Sequence, residues 1–244
     1  MQVFVLAGGL GTRIRSVLGD VPKPMAAIGG RPFLEYLILQ IRRAGLSRVI
    51  VCTGYRADVI ERYFGTGNGW DMDISYSREP EPLGTGGALR LAASRFPAKT
   101  SLVMNGDSFF DIQLETLCQR HQGTPAQVTM ALARGVEGTR YGIVETDRLG
   151  AVTRFQEKPV GLAAARLSAG QDLINAGLYV VQEGILAAIP DGQPVSLERE
   201  VLPMLVGGGL RGEVFAAPFT DIGVAQDLAL LRAAPERLLL SEAD

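Results

Sequence analysis

Histidine is nearly absent from this chain: its 244 residues include one, His121. A Ser-His-Asp relay would have to run through it, and it stands at the end of a stretch patterned as a surface helix. Catalysis of that kind is not expected. Cysteine is almost as scarce. Cys52 and Cys118 lie far apart in apolar stretches and match neither a disulfide framework nor a zinc spacing. Both read as core thiols of a cytoplasmic protein. An excess of one charge is missing too. Lys plus Arg number 24 and Asp plus Glu 26, for a net charge of -2. That balance leaves no broad basic footprint for nucleic acid, but it permits a local basic pocket for phosphates. No apolar run approaches the roughly 18 residues that span a bilayer. Met1 to Leu6 is too short for a signal peptide. No membrane partner is expected.

Repeats are absent as well, including any hexapeptide β-helix repeat near the C-terminus. One assembly device is thereby missing, and a monomer or homodimer is the expectation. Hydrophobic residues make up 47% and charged residues 20%, which describes a soluble globular chain with a sizeable core. No linker divides it. Gly207-Gly208-Gly209 is the most flexible stretch, but too little chain follows to form a domain. A single domain over 1–244 is expected.

Apolar runs place buried strands at Val3 to Leu6, Arg48 to Thr53 and Ser101 to Met104, with a further strand at Met72 to Ser77. Helical spacing falls between them. Pro32 opens one helix through Phe33, Leu34, Leu37, Ile38 and Ile41, which Gly45 closes. Others span Asp58 to Phe64 and Ala88 to Ser94. Strands alternating with helices imply a mostly parallel sheet covered on both faces. After about residue 126 the pattern shifts to short strands at Val128 to Ala133, Gly142 to Glu145 and Val152 to Gln156. Asp147 to Gly150 reads as a hairpin connection. Asn175 to Val181 is a later strand, and helices are expected at Leu197 to Leu205 and Ala225 to Ala233. The Ala-rich segment Gly161 to Gly170 reads as a mobile loop or a helical turn.

Five motifs carry chemistry. Leu6-Ala7-Gly8-Gly9-Leu10-Gly11-Thr12-Arg13 leaves the first strand at its carboxyl end, where open α/β sheets bind ligands. Its glycines let backbone N–H groups approach an anion, and Arg13 adds a forked cationic donor. No Gly-Lys-Ser/Thr follows, so it is not a Walker A loop, and no third glycine makes it a dinucleotide fingerprint. In Pro22-Lys23-Pro24 two prolines stiffen the backbone around a lysine suited to a phosphate. Asn105-Gly106-Asp107 ends a buried strand with a carboxylate, and Asp221-Ile222-Gly223 supplies a second. Together they would suit Mg²⁺ if the fold brings them together. Glu157-Lys158-Pro159 follows a strand, with a cation for a sugar phosphate and an acceptor for hydroxyls. Taken singly, each of these also serves as an ordinary turn, cap or surface pair.

As an ordered set the motifs resemble the sugar-1-phosphate nucleotidyltransferase family. The matching run also includes Pro82-Leu83-Gly84-Thr85-Gly86-Gly87-Ala88, Tyr141-Gly142, Phe155-Gln156 and Asn175-Ala176-Gly177, and it covers almost the whole chain. The resemblance implies one Rossmann-like α/β domain with a central mixed, mostly parallel sheet flanked by helices. It implies that a sugar 1-phosphate oxygen attacks the α-phosphorus of a nucleoside triphosphate and releases pyrophosphate. Such transfer needs positioning and charge neutralisation more than an acid–base residue, which suits a chain with one histidine.

Carried over by position, Leu6, Ala7, Gly8, Gly9, Gly11, Thr12, Arg13, Gly84 and Thr85 would hold the nucleotide. Arg13, Lys23 and Asp107 would act at the reacting centre. Asp107 and Asp221 would hold Mg²⁺. Gly142, Glu157, Lys158 and Asn175 would hold the sugar phosphate. Glu79 stands where relatives read the base edge, and a carboxylate there can accept from guanine N1 and N2. The nearest likeness is to the D-glycero-α-D-manno-heptose 1-phosphate guanylyltransferases, through Arg140-Tyr141-Gly142-Ile143-Val144, Ile174 to Tyr179 and Ser196-Leu197-Glu198-Arg199. GTP and that heptose 1-phosphate are therefore the expected partners. Guanylyl transfer to mannose 1-phosphate, uridylyl or thymidylyl transfer to a hexose-type 1-phosphate, and a non-catalytic nucleotide-sugar-binding regulatory subunit are the alternatives. Two departures are Ile14 for the usual Leu, and Ala225-Gln226-Asp227 for Pro-Glu-Asp. The second leaves the start of the last helix open.

Overall fold

The computed structural model describes residues 1–134, 141–157 and 172–238. Arg140, Lys158 and the segment 161–170 lie outside the described residues. The chain runs through β1 (Gln2–Leu6), α1 (Arg15–Leu18), β2 (Ala27–Ile28), β3 (Arg31–Pro32), α2 (Phe33–Arg43), β4 (Arg48–Thr53), α3 (Ala57–Phe64) and β5 (Asp73–Arg78). It continues through α4 (Gly84–Arg95), β6 (Thr100–Asn105), β7 (Ser108–Phe110), α5 (Leu114–Gln122), β8 (Val128–Arg134), β9 (Ile143–Thr146) and β10 (Val152–Gln156). Then come β11 (Leu173–Gln182), α6 (Glu183–Ala188), β12 (Leu210–Phe215), β13 (Phe219–Asp221) and α7 (Ala225–Ala233).

Among the described residues nine strands form one mixed sheet. β6, β1, β4 and β5 pair in parallel, and β12 pairs in parallel with β8. β11 runs antiparallel between β6 and β8, and its first residues also pair with β9. The central strands are apolar on both faces because both faces are covered. Val3, Val5, Val49, Val51, Leu102 and Met104 pack on one side with α2, while Phe4, Ile50, Cys52 and Val103 pack on the other with Leu89 of α4. Among the described residues no helix is long and apolar enough to cross a membrane.

Both cysteines are buried and free, as read from their surroundings. Helix α2 follows Pro32 and gives way to Gly45, whose φ of 66° only glycine adopts readily. The Asp147 to Gly150 turn joins β9 to β10, with Asp147 N–H donating to Ala151 O at 2.9 Å. Helix α7 opens at Ala225 despite its departure from the family pattern.

Other readings change. Helix α4 begins at Gly84, not Ala88, so the glycines form its first turn. The stretch expected as one helix is a π-helical turn, Leu197–Val201, followed by a 3₁₀ turn, Leu202–Leu205. His121 ends a helix as expected but is buried, 4% exposed, because its ring packs under β8 and bonds Thr129 Oγ1 at 2.8 Å. β7, β12 and β13 were not anticipated: β7 and β13 are short, and β12 carries Arg211, Gly212 and Glu213 at its centre.

Candidate functional site

Three parallel strands end together. Leu6 of β1 is paired with Cys52 of β4 and with Asn105 of β6, so the segments after them leave the sheet at one level. The Gly-rich loop leaves β1, with Ala7 N–H donating to Cys52 O at 2.8 Å and Gly8 O accepting from Tyr55 N at 3.3 Å. Gly106 N–H donates to Leu6 O at 2.9 Å, which draws the β6 exit against β1. Around these ends lies a cavity of about 660 Å³. It is lined by every expected site residue that the structure describes, from the Gly-rich loop to Asn175 and Asp221.

Lys23 reaches this cavity from a stiff turn. Pro22 is extended (φ -64°, ψ 142°), Lys23–Met25 form a 3₁₀ turn, and Pro24 and Met25 are buried. The lysine side chain is 11% exposed, and its Nζ lies 2.6 Å from Asp107 Oδ2. The two residues are 84 apart in sequence. The ordering cost of that pair is met by the fold before any phosphate arrives.

Asp107 and Asp221 are brought together by the small ladder of β7 and β13, in which Ser108 pairs with Asp221. Ile222 N–H donates to Asp107 O at 2.9 Å. Asp221 is buried; Tyr141 Oη donates to its Oδ2, and Gly223 N–H donates to Oδ1 at 2.5 Å. Among the described residues no group of three or more His, Cys, Asp or Glu side chains could hold a metal. A pair of carboxylates still fits a hard cation that completes its shell with water and phosphate oxygens. Asn105 Oδ1, a buried acceptor lining the same cavity, has no partner among the described residues.

Glu79 follows β5 on the other side of the loop. Its Oε2 accepts from Leu83 N–H at 2.9 Å. A Cβ on Gly8 would collide with Glu79 Oε1, and one on Gly54 would come within 2.7 Å of it. The two glycines thus leave room for the carboxylate itself. Burial raises the Glu79 pKa, and the Leu83 N–H partly offsets that.

At the opposite end, β11 bulges between Asn175 and Tyr179. Asn175 N–H donates to Gly142 O at 2.8 Å. Its side chain is fixed twice: Gly177 N–H donates to Oδ1 at 3.0 Å, and Nδ2 donates to Tyr179 Oη at 2.7 Å. Glu157 sits beside Gly142, where its Oε2 lies 2.6 Å from the position a Cβ would take.

Reading by sequence missed the roles of Tyr141, Tyr179, Glu198 and Asn105 around this cavity. All four lie within the sequence motifs, but only the fold shows what they touch: Tyr141 meets Asp221, Tyr179 meets Asn175, and Glu198 meets Thr85.

The family model described as nucleotidyl transferase matches residues 2–234. A mannose-1-phosphate guanylyltransferase of Mycobacterium tuberculosis is 38% identical over 93% of this chain, which spans 62% of that enzyme's length. The D-glycero-alpha-D-manno-heptose 1-phosphate guanylyltransferase of Aneurinibacillus thermoaerophilus is 36% identical over 93% of this chain and 95% of its own. HddC from Yersinia pseudotuberculosis, solved complexed with GMP-PN, superposes with a TM-score of 0.80 at 31% identity over 95% of this chain and 98% of HddC. With that match over nearly all its length, the chain belongs to the nucleotidyl transferase family.

Proposed function

We propose that this protein transfers GMP from GTP to a sugar 1-phosphate, D-glycero-α-D-manno-heptose 1-phosphate, releasing pyrophosphate, on a single domain working in the cytoplasm. The observation that carries the transfer reading is the convergence of Lys23, Asp107 and Asp221 beside the Gly-rich loop. Little acid–base chemistry is needed there. A phosphate oxygen of the sugar 1-phosphate is already a nucleophile, and the barrier is set by charge repulsion and alignment.

In this reading the loop amides of Gly8, Gly9 and Gly11, with Thr12 and Arg13, hold the triphosphate. Lys23 and Arg13 neutralise charge that builds as pyrophosphate leaves. Asp107 and Asp221 would hold Mg²⁺, which when bound withdraws charge from the phosphate oxygens. Glu157, Gly142 and Asn175 orient the sugar hydroxyls, and Lys158 binds its phosphate. Glu79 in its ionised form accepts from the N1–H and N2–H of guanine. The guanine nucleotide in the HddC complex and the guanylyltransferase relatives support that base.

Mannose 1-phosphate is the second reading, favoured by the 38% identity to the mycobacterial enzyme. Pyrophosphate release measured with GTP, UTP, dTTP and ATP against both sugar phosphates tests the assignment. Turnover with GTP is expected; turnover with another triphosphate in its place would refute the guanine reading.

A further inference from the structure

Tyr141 precedes a glycine of the sugar end, yet its hydroxyl turns to Asp221 and donates to Oδ2 of that carboxylate. Gly223 N–H donates to the other oxygen, Oδ1, at 2.5 Å. Asp221 is only 8% exposed. A carboxylate so deeply buried needs donors. Two of different kinds meet it here. One comes from the backbone two residues on, the other from a side chain 80 residues away.

Tyr141 is itself held from both ends. Its ring packs edge-on against Phe219 of β13, with centroids 5.3 Å apart. Phe219 packs edge-on against Phe110 of β7 at 5.9 Å, and the two are opposite each other in the ladder. In the backbone, the next residue, Gly142, accepts through its carbonyl from Asn175 N–H at 2.8 Å. The main chain beside Tyr141 is thus tied to β11, and its ring to the β7–β13 ladder. The hydroxyl has little freedom to swing away from Asp221.

An aspartate turns easily about its last torsion. A donor on each oxygen fixes the carboxylate plane, and each oxygen keeps a lone pair for a cation. Asp107 is met by the Lys23 ammonium at 2.6 Å. Tyr141 brings a neutral donor instead, which orients Asp221 without cancelling its charge. Outer partners of this kind raise the affinity of a ligating carboxylate for its metal.

We propose that Tyr141 is a positioning residue for the divalent cation: its hydroxyl holds Asp221 in the orientation that accepts the metal. This rests on the transfer reading for a cation at Asp107 and Asp221, while the hold on Asp221 stands on the hydrogen bonds.

The test titrates Mn²⁺, which takes the same oxygen ligands, into the full chain without nucleotide and follows the free ion by its EPR signal. Wild type, Tyr141→Phe and Asp221→Asn are compared. Phenylalanine keeps the ring on Phe219 and removes one oxygen, so Mn²⁺ should bind about tenfold more weakly in Tyr141→Phe. The melting temperature should fall by no more than about 4 °C, the worth of one hydrogen bond. Asp221→Asn should abolish the binding. In pyrophosphate release, Tyr141→Phe should raise the Mg²⁺ concentration for half-maximal rate by a similar factor. A merely structural tyrosine would shift the melting temperature and leave both metal readouts in place, and that result would overturn the proposal. So would a wild-type protein that takes up no Mn²⁺, or uptake that survives in Asp221→Asn. If Mn²⁺ binds as expected but no nucleoside triphosphate is turned over, the transfer reading fails while the role of Tyr141 stands.

Discussion

Lys23 shows how much a single residue is asked to do. Its ammonium is aimed by buried prolines and paired with Asp107 at 2.6 Å, so in the proposed role it would meet the phosphates without reorganising. Lys23→Met should lower kcat by about 100-fold, the loss typical of one preorganised charge-stabilising donor. The melting temperature should change little, since Asp107 is 42% exposed and regains water. Steady-state kinetics beside calorimetry check both halves. Glu79 makes a prediction in pH. In the proposed base-reading role guanine would need the ionised carboxylate, and burial raises its pKa. As pH falls, the GTP KM should rise earlier than an ordinary glutamate would cause. Glu79→Gln should remove that limb of the profile, and a wild-type profile matching the variant's would contradict the base-reading role. Lys23 was legible in the sequence by the two prolines that flank it, and Glu79 by resemblance to the family. Their partners were not, because Lys23 and Asp107 are 84 residues apart.

At the scale of elements, the strands and helices of the first half follow from period and punctuation. Val3, Phe4 and Val5 are buried on alternate faces of one strand, and apolar runs of that kind leave little choice. The start of α4 did not follow. Gly84, Thr85, Gly86 and Gly87 have poor helix propensity, and only their seat against the 193–197 segment makes them helical. This contact can be tested through Gly87→Ala. Alanine in a helix gains up to about 1 kcal/mol over glycine, but overpacking against a backbone carbonyl costs about 1–3 kcal/mol. Urea titration should therefore show a net loss of about 1 kcal/mol. A gain would mean that the 193–197 segment is free to move away. The late ladder of β7 and β13 was also invisible, since three-residue strands carry too few residues for a period to show.

For the molecule as a whole, the central sheet and the strand-end cavity were expected and are found, while the identity of the sugar was read only by resemblance. Stability has its own signature. His121 is buried against Thr129, and burial lowers its pKa. The unfolded chain takes a proton below pH of about 6.5, and the folded one resists it until lower pH. Stability should thus decline as pH falls through that point, and His121→Gln should flatten the decline in a thermal melt series. An unchanged slope would place the acid sensitivity elsewhere. The central claim concerns guanylyl transfer to a heptose, and one measurement meets it directly. The kcat/KM for GTP-dependent pyrophosphate release is compared between D-glycero-α-D-manno-heptose 1-phosphate and mannose 1-phosphate. The heptose should be favoured by about tenfold or more, the worth of one added hydroxyl contact. Equal values, or a preference for mannose 1-phosphate, would contradict it.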